Sequence, residues 1–196
     1  MSWKPNREQA WNLLKDYNQN QALIAHALAV EGVMRHFASF FAPEEKDTWG
    51  IIGLLHDLDY EQYPEEHCHK TESILKEKDV DPVWIRAIIS HGYGICTDIK
   101  PETDMEKVLY TIDELTGLVN AAALMRPSRS VMDMNLKSLK KKFKTPSFAA
   151  GVNRDIVRQG SEMLGWELDR VMEETIQGMR QVAADIGLDG ETETDM

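Results

Sequence analysis

Apolar positions recur at helical steps along almost the whole chain. Between Gln19 and Phe41, Leu23, Ala27, Val30, Met34 and Phe37 return every three or four residues, so one apolar stripe runs along a predicted helix. The same period carries Leu109, Ile112, Thr116, Val119 and Ala123 through a long segment that Asp104 caps and that ends near Met125, before Arg126-Pro127. Asn6 can cap a first helix reaching about Tyr17. Pro43, followed by Glu44 and Glu45, opens a third helix: proline suits a first turn, and acids suit the positive end of the dipole. That helix carries Trp49, Ile52 and Leu55 and closes on His56-Asp57.

Shorter helices are predicted near His67–Glu77, near Pro82–His91 with Asp81 as cap, and over a basic stretch from Asn135 to Lys144. Two more follow near Asn153–Leu164 and Glu167–Ile186, with Gly187 and Gly190 as the stop. The segment GYGICTDIKPETD is the longest turn-rich interruption, and no stretch alternates as a strand would. The pattern predicts an all-α single domain over 1–187, with an acidic tail over 188–196.

Composition narrows the class without naming a chemistry. Apolar content of 42% and charged content of 28% describe a globular chain, and 196 residues suffice for one self-supporting core. The 33 acidic and 22 basic residues leave a net charge of −11, which disfavours binding along extended nucleic acid. A small phosphorylated ligand stays compatible where metal ions make a site locally positive. No apolar run approaches the roughly 18–20 residues that span a bilayer, and the opening MSWKPNREQAW, without a cationic segment before an apolar one, gives no expectation of a secretory signal. Cys68 and Cys96 are the only cysteines and form no CxxC pair, so a disulfide framework is not expected and a reducing, cytoplasmic setting is.

The six histidines separate by where they fall on the stripes. His26 lies between Leu23 and Val30, His56 four residues after Ile52, and His91 three after Ile88; all three point inward. Asp113 adjoins Ile112 and follows Leu109 by four. His36 beside Arg35 and His69 in the run His67-Cys68-His69 are expected at the surface. One inward histidine is ordinarily a hydrogen-bonded core residue. A buried carboxylate needs a cation or several donors, however, and little Lys or Arg is near Asp57 and Asp113. Several inward imidazoles with two carboxylates are explained together by a metal, for which Mn, Fe, Zn, Ni or Co is suited.

At these residues the chain resembles a known superfamily. The order His26, His56-Asp57, Asp113 is similar to the H…HD…D signature of HD-domain metal-dependent phosphohydrolases, over roughly residues 20–125. YPEEH, a helix and then SHG, with RPSRSV and FAAGVNR further on, resemble uncharacterised HDIG-type bacterial proteins predicted to be hydrolases. The resemblance implies an HD-like helical bundle with a C-terminal helical extension over about 126–187. It implies that His26, His56, Asp57 and Asp113 hold a first divalent ion, a transition metal or Mg. His67 and His91 match the positions that serve a second ion, with Asp57 bridging and catalytic. The implied activity is hydrolysis of a small phosphoester, a nucleotide foremost. The same donors would also serve an HD-scaffold di-iron oxygenase, or a binding module without turnover.

The departures mark this chain's own features. HDLD stands where those proteins read HDIG, which sets Asp59 as a candidate base or water-orienting group against an ordinary loop acid. Arg126 and Arg129, just past the Asp113 helix, are candidates for a substrate phosphate because guanidinium forks match phosphate oxygens. Arg154 is a candidate for the rim, Glu114 for a structural role, and Lys140-Lys141-Lys142 for a solvated helix face.

Overall fold

The computed structural model describes residues 2–190. Residues 191–196, most of the expected acidic tail, lie outside the described residues. Among the described residues nine α-helices account for the fold: α1 (Arg7–Tyr17), α2 (Gln21–Phe41), α3 (Lys46–Leu55), α4 (His69–Glu77), α5 (Pro82–Ile89), α6 (Asp104–Leu124), α7 (Leu136–Phe143), α8 (Arg154–Leu164) and α9 (Leu168–Gln181). Short 3-10 turns at Pro43–Glu45, Pro64–Glu66 and Ser90–Gly92 join some of them. Among the described residues there is no strand, only three isolated bridges. The fold is all-α, and among the described residues no helix is long and apolar enough to cross a membrane.

The helix starts follow from side chains that replace missing backbone partners. Asn6 accepts from the Gln9 N–H while Gln9 reaches back to the Asn6 N–H, and Asn20 accepts from Ala22 and Leu23. For α6 the cap is Thr103, one residue before the expected Asp104, because Glu106 answers its backbone N–H in a reciprocal pair. Asp104 instead sits in the first turn, where its charge favours the dipole.

Three expectations about elements shift. The fourth helix starts at His69, so His67 stands in the turn before it. The last helix stops at Gln181, and turns continue to Gly187. Leu188, assigned to the tail by sequence, is buried, and its carbonyl accepts from the Val131 N–H at 2.9 Å. An apolar side chain with a paired backbone anchors this segment to the loop after α6.

Helix α2 is the axis of the molecule, packing against α3, α6 and α9, while α8 covers α6. Val30, Val33, Met34 and Phe37 are fully buried there, with Ile52, Leu54, Leu55, Leu109 and Ile112 opposite. The α2–α3 approach is close because residue 53 is glycine. A Cβ at Gly53 would stand 2.8 Å from Met34 Cγ and 3.0 Å from the Val30 carbonyl. Gly53→Ala is therefore expected to cost about 1–3 kcal/mol, as overpacking does, and to lower the thermal midpoint. An unchanged midpoint in a melting experiment would contradict this packing account.

Candidate metal centre

Three helices and two turns converge on one point. His26 comes from the second turn of α2, His56 and Asp57 from the C-terminal end of α3, and Asp113 from the middle of α6. His67 and His91 come from the turns before α4 and after α5. The loop between His56 and His67 is fixed from outside. The Asn18 side chain donates to the Leu58 carbonyl at 2.9 Å, and Glu61 accepts from Gln19 and Asn20 backbone N–H groups at 2.7 and 2.8 Å.

The six donors form two groups that share Asp57. His26 Nε2 lies 2.9 Å from Asp113 Oδ1 and 3.8 Å from Asp57 Oδ2, and His56 Nε2 lies 3.3 Å from each of those oxygens. On the other side, His67 Nε2 and His91 Nε2 are 3.2 Å apart and each 3.5 Å from Asp57 Oδ1. Asp57 thus turns one oxygen to each group. Ligands at about 2.0–2.2 Å from an ion stand about 2.8–3.6 Å from one another, whether octahedral or tetrahedral. The observed separations match that range, apart from the slightly longer His26–Asp57 one.

The imidazoles are aimed. His56 Nδ1 donates to the Gly53 carbonyl at 2.8 Å and His91 Nδ1 to the Ile88 carbonyl at 2.6 Å. Each leaves Nε2 as the free lone pair toward the centre, the arrangement in which backbone or carboxylate partners orient metal-binding histidines. His67 Nδ1 is held by Asp59 Oδ1 at 2.8 Å. His56 Nε2 is fully buried and makes no hydrogen bond, with Asp57 Oδ2 and Asp113 Oδ1 each 3.3 Å away, a place a cation would fit.

Electrostatics say the same. Burial alone would lower the His56 pKa, yet the Asp57 and Asp113 carboxylates outweigh it and hold it well above the ordinary value. Burial likewise opposes ionisation of Asp57 and Asp113. The neighbouring imidazoles nonetheless keep both well below the carboxylate range, His56 foremost. In His67 burial is outweighed by Asp59 and Asp57, and the pKa is raised. The two carboxylates thus favour positive charge on the imidazoles around them.

A pH dependence follows. A raised His56 pKa gives the metal-free protein stability that is full below the unfolded value of 6.5 and is lost as pH rises through the folded value. An ion held by these groups would compete with those protons, so affinity for it is expected to grow over the same interval. Chelated protein is expected to melt lower as pH rises above 6.5, and the increment from added Mn to widen. Parallel melting curves with and without metal would contradict it.

Other sequence candidates fall elsewhere. Asp59 is no solvent-facing base: it is fully buried, with Oδ1 on His67 and Oδ2 accepting the Thr71 N–H at 2.7 Å. Arg126 is paired with Asp133 at 2.8 Å, and Arg129 is exposed in the following turn. Both lie beyond the end of α6, about 20 Å along its axis from Asp113 at the helical rise, and neither lines the cavity. The substrate role expected of them is not supported by their position. His36 is half-buried between helices, bonded to Glu174 at 2.7 Å and Gln181 at 2.8 Å. His69 is exposed.

The donors open into a cavity of about 380 Å³ lined by Leu23, Tyr60, Ile95, Cys96, Glu114, Val152 and Ile156 among others. Tyr60 stands edge-on to His67, ring centroids 5.1 Å apart, and is partly exposed. Arg154 does not face the cavity. Its guanidinium donates to the carbonyls of Phe143, Thr145, Phe148, Ala149 and Val152 and so holds the rim loop in shape. Glu114 accepts from the Asn153 N–H at 2.9 Å and ties that loop to α6; burial raises its pKa. Cys96 also meets Cys68, whose thiol hydrogen bond holds Cys96 down to about 6.

No family model, curated protein or solved structure matches the chain. The fold and the site define an all-helical protein with a two-part histidine and carboxylate cluster at the floor of a small cavity.

Proposed function

We propose that the chain is a metal-dependent phosphohydrolase of the HD type, acting on a small phosphoester of the mononucleotide class. The observation that carries this reading is Asp57, whose two oxygens face separate donor groups at 3.3–3.8 Å and 3.5 Å. A single carboxylate so placed suits a bridge between two ions. His26, His56, Asp57 and Asp113 would hold the first ion, and His67 and His91 with Asp57 the second; Mn, Fe, Co, Ni, Zn or Mg suits the donors. The chemistry such ions supply is polarisation of a phosphoryl oxygen and acidification of a water.

The protein's own residues set what can bind. Asp57 and Asp113 contribute two negative charges against the four positive charges of two divalent ions. The remaining two match one phosphate dianion. Among the described residues, no Lys or Arg lines the cavity to balance a second or third phosphate, and Glu114 adds negative potential. Leu23, Ile95, Val152 and Ile156 give the organic part of the ester an apolar wall. The volume is at the small end of the ~300–1,000 Å³ usual for ligand sites.

The test is phosphate release from a panel of mono-, di- and triphosphates by protein loaded in turn with Mn, Co, Ni and Mg. A kcat/KM for monophosphates at least about tenfold above triphosphates is expected, a difference of ~1.4 kcal/mol, with loss on chelation and recovery with metal. Absence of release with every metal would overturn the reading.

A further inference from the structure

The chain's two cysteines come from segments 28 positions apart, yet their sulfurs converge on Gly92. A Cβ built on Gly92 would stand 2.2 Å from Cys96 Sγ and 2.5 Å from Cys68 Sγ. Both sulfurs therefore lie within 2.5 Å of one point, in a space that exists because residue 92 carries no side chain. Neither cysteine is in a disulfide. Their access differs: Cys68 is buried at 1% exposure, whereas Cys96 is half-buried and lines the cavity. Cys68 is also held at φ +67°, a conformation that non-glycine residues adopt only when their surroundings impose it.

We propose that Cys68 and Cys96 are a disulfide-forming pair, a thiol modification site whose ligand is a low-molecular-weight disulfide such as oxidised glutathione. Cys96, the reachable sulfur, attacks one sulfur of that disulfide; its S–S bond breaks and the first glutathione leaves as thiolate. Cys68, waiting behind, attacks the Cys96 sulfur of the mixed disulfide and expels the second glutathione. The two cysteines lose two hydrogens and two electrons together, and the reagent gains them as two thiols. Both sulfurs stand within 2.5 Å of one point and have only to close across that space to the ~2.05 Å of a bond. The new bond ties the residue after His67 to the loop after His91, and His91 lies inside the ring so formed. The oxidation state of the pair is thereby coupled to the donors on the Asp57 Oδ1 side.

Full-length reduced protein is incubated with oxidised glutathione, quenched by alkylation and read by intact mass and peptide mapping. The expected product is a chain lighter by two hydrogens in which the peptides of Cys68 and Cys96 are linked, reversed by dithiothreitol. Cys68→Ser is expected to stop at a single glutathione adduct on Cys96. Gly92→Ala, folded by circular dichroism, is expected to lose the link because its methyl group occupies the space between the sulfurs. Two glutathione adducts on the wild-type chain, or two unmodified thiols after prolonged exposure, would overturn the proposal.

Discussion

Asp57→Ala is expected to abolish metal-dependent phosphate release and to empty both ion positions in one step. The substitution removes Oδ2 from the group of His26, His56 and Asp113 and Oδ1 from the pair His67 and His91. No other residue in the cluster faces both. Loss of kcat/KM by more than about 10³, or ~4 kcal/mol of transition-state stabilisation, is therefore expected, with metal content falling toward zero by elemental analysis. The comparison that isolates the bridge is His91→Ala, which touches only the second group and should leave one ion per chain. Retention of two ions by Asp57→Ala would show that Asp57 does not bridge. Folding should survive, because the raised His56 pKa depends on Asp113 as well as Asp57, and the apolar end of α3 is untouched.

Much of this centre was legible before any coordinates. The apolar period of α3 runs into His56-Asp57, so a helix with its stripe inward must deliver that pair to the core. His26 and Asp113 were legible for the same reason, each being on a stripe of a long helix. Asp57's division between two groups was not, because which oxygen faces which histidine depends on how three helices and two turns meet. The rim was legible only as two separate candidates, Arg154 for the rim and Glu114 for a structural role, and not as the loop they hold together. The loop ending at Asn153 reaches the cavity only through Arg154's five carbonyls and Glu114, contacts that join α6 and α8. Arg126 and Arg129 show the opposite error. Nearness in sequence to the helix of Asp113 suggested a phosphate role, but α6 runs on far enough to carry them past the end of the cavity, and Asp133 pairs Arg126.

The sulfur pair was also beyond sequence reading. Spacing of 28 positions and the lack of a CxxC motif gave no reason to join Cys68 to Cys96. The turn at Gly92 does so, and it also carries His91. One glycine therefore sets the approach of the sulfurs next to a donor of the second group.

Asp59→Asn is expected to weaken the second ion position about 10–100-fold, the usual effect of losing a partner that orients a ligand, while the first is nearly unchanged. The reason is a count of acceptors. The buried Asp59 carboxylate accepts from His67 Nδ1 through Oδ1 and from the Thr71 N–H through Oδ2. An amide at the same place offers one acceptor and one donor, so either His67 or Thr71 faces an N–H it cannot bond. A buried group left without a partner costs about 1–3 kcal/mol. Either outcome is measurable: a freed His67 lowers second-ion affinity in a two-site titration, and a frustrated Thr71 N–H lowers the thermal midpoint by loosening the start of α4. Asp59→Glu, longer by one methylene in a site with no exposure, should fail as well, because length and not charge is then wrong. A solvent-facing base would behave differently: its removal would lower kcat and alter the pH profile with both ions still bound. Two ions bound to Asp59→Asn with wild-type affinity and midpoint would therefore overturn the positioning role and return Asp59 to the reaction itself.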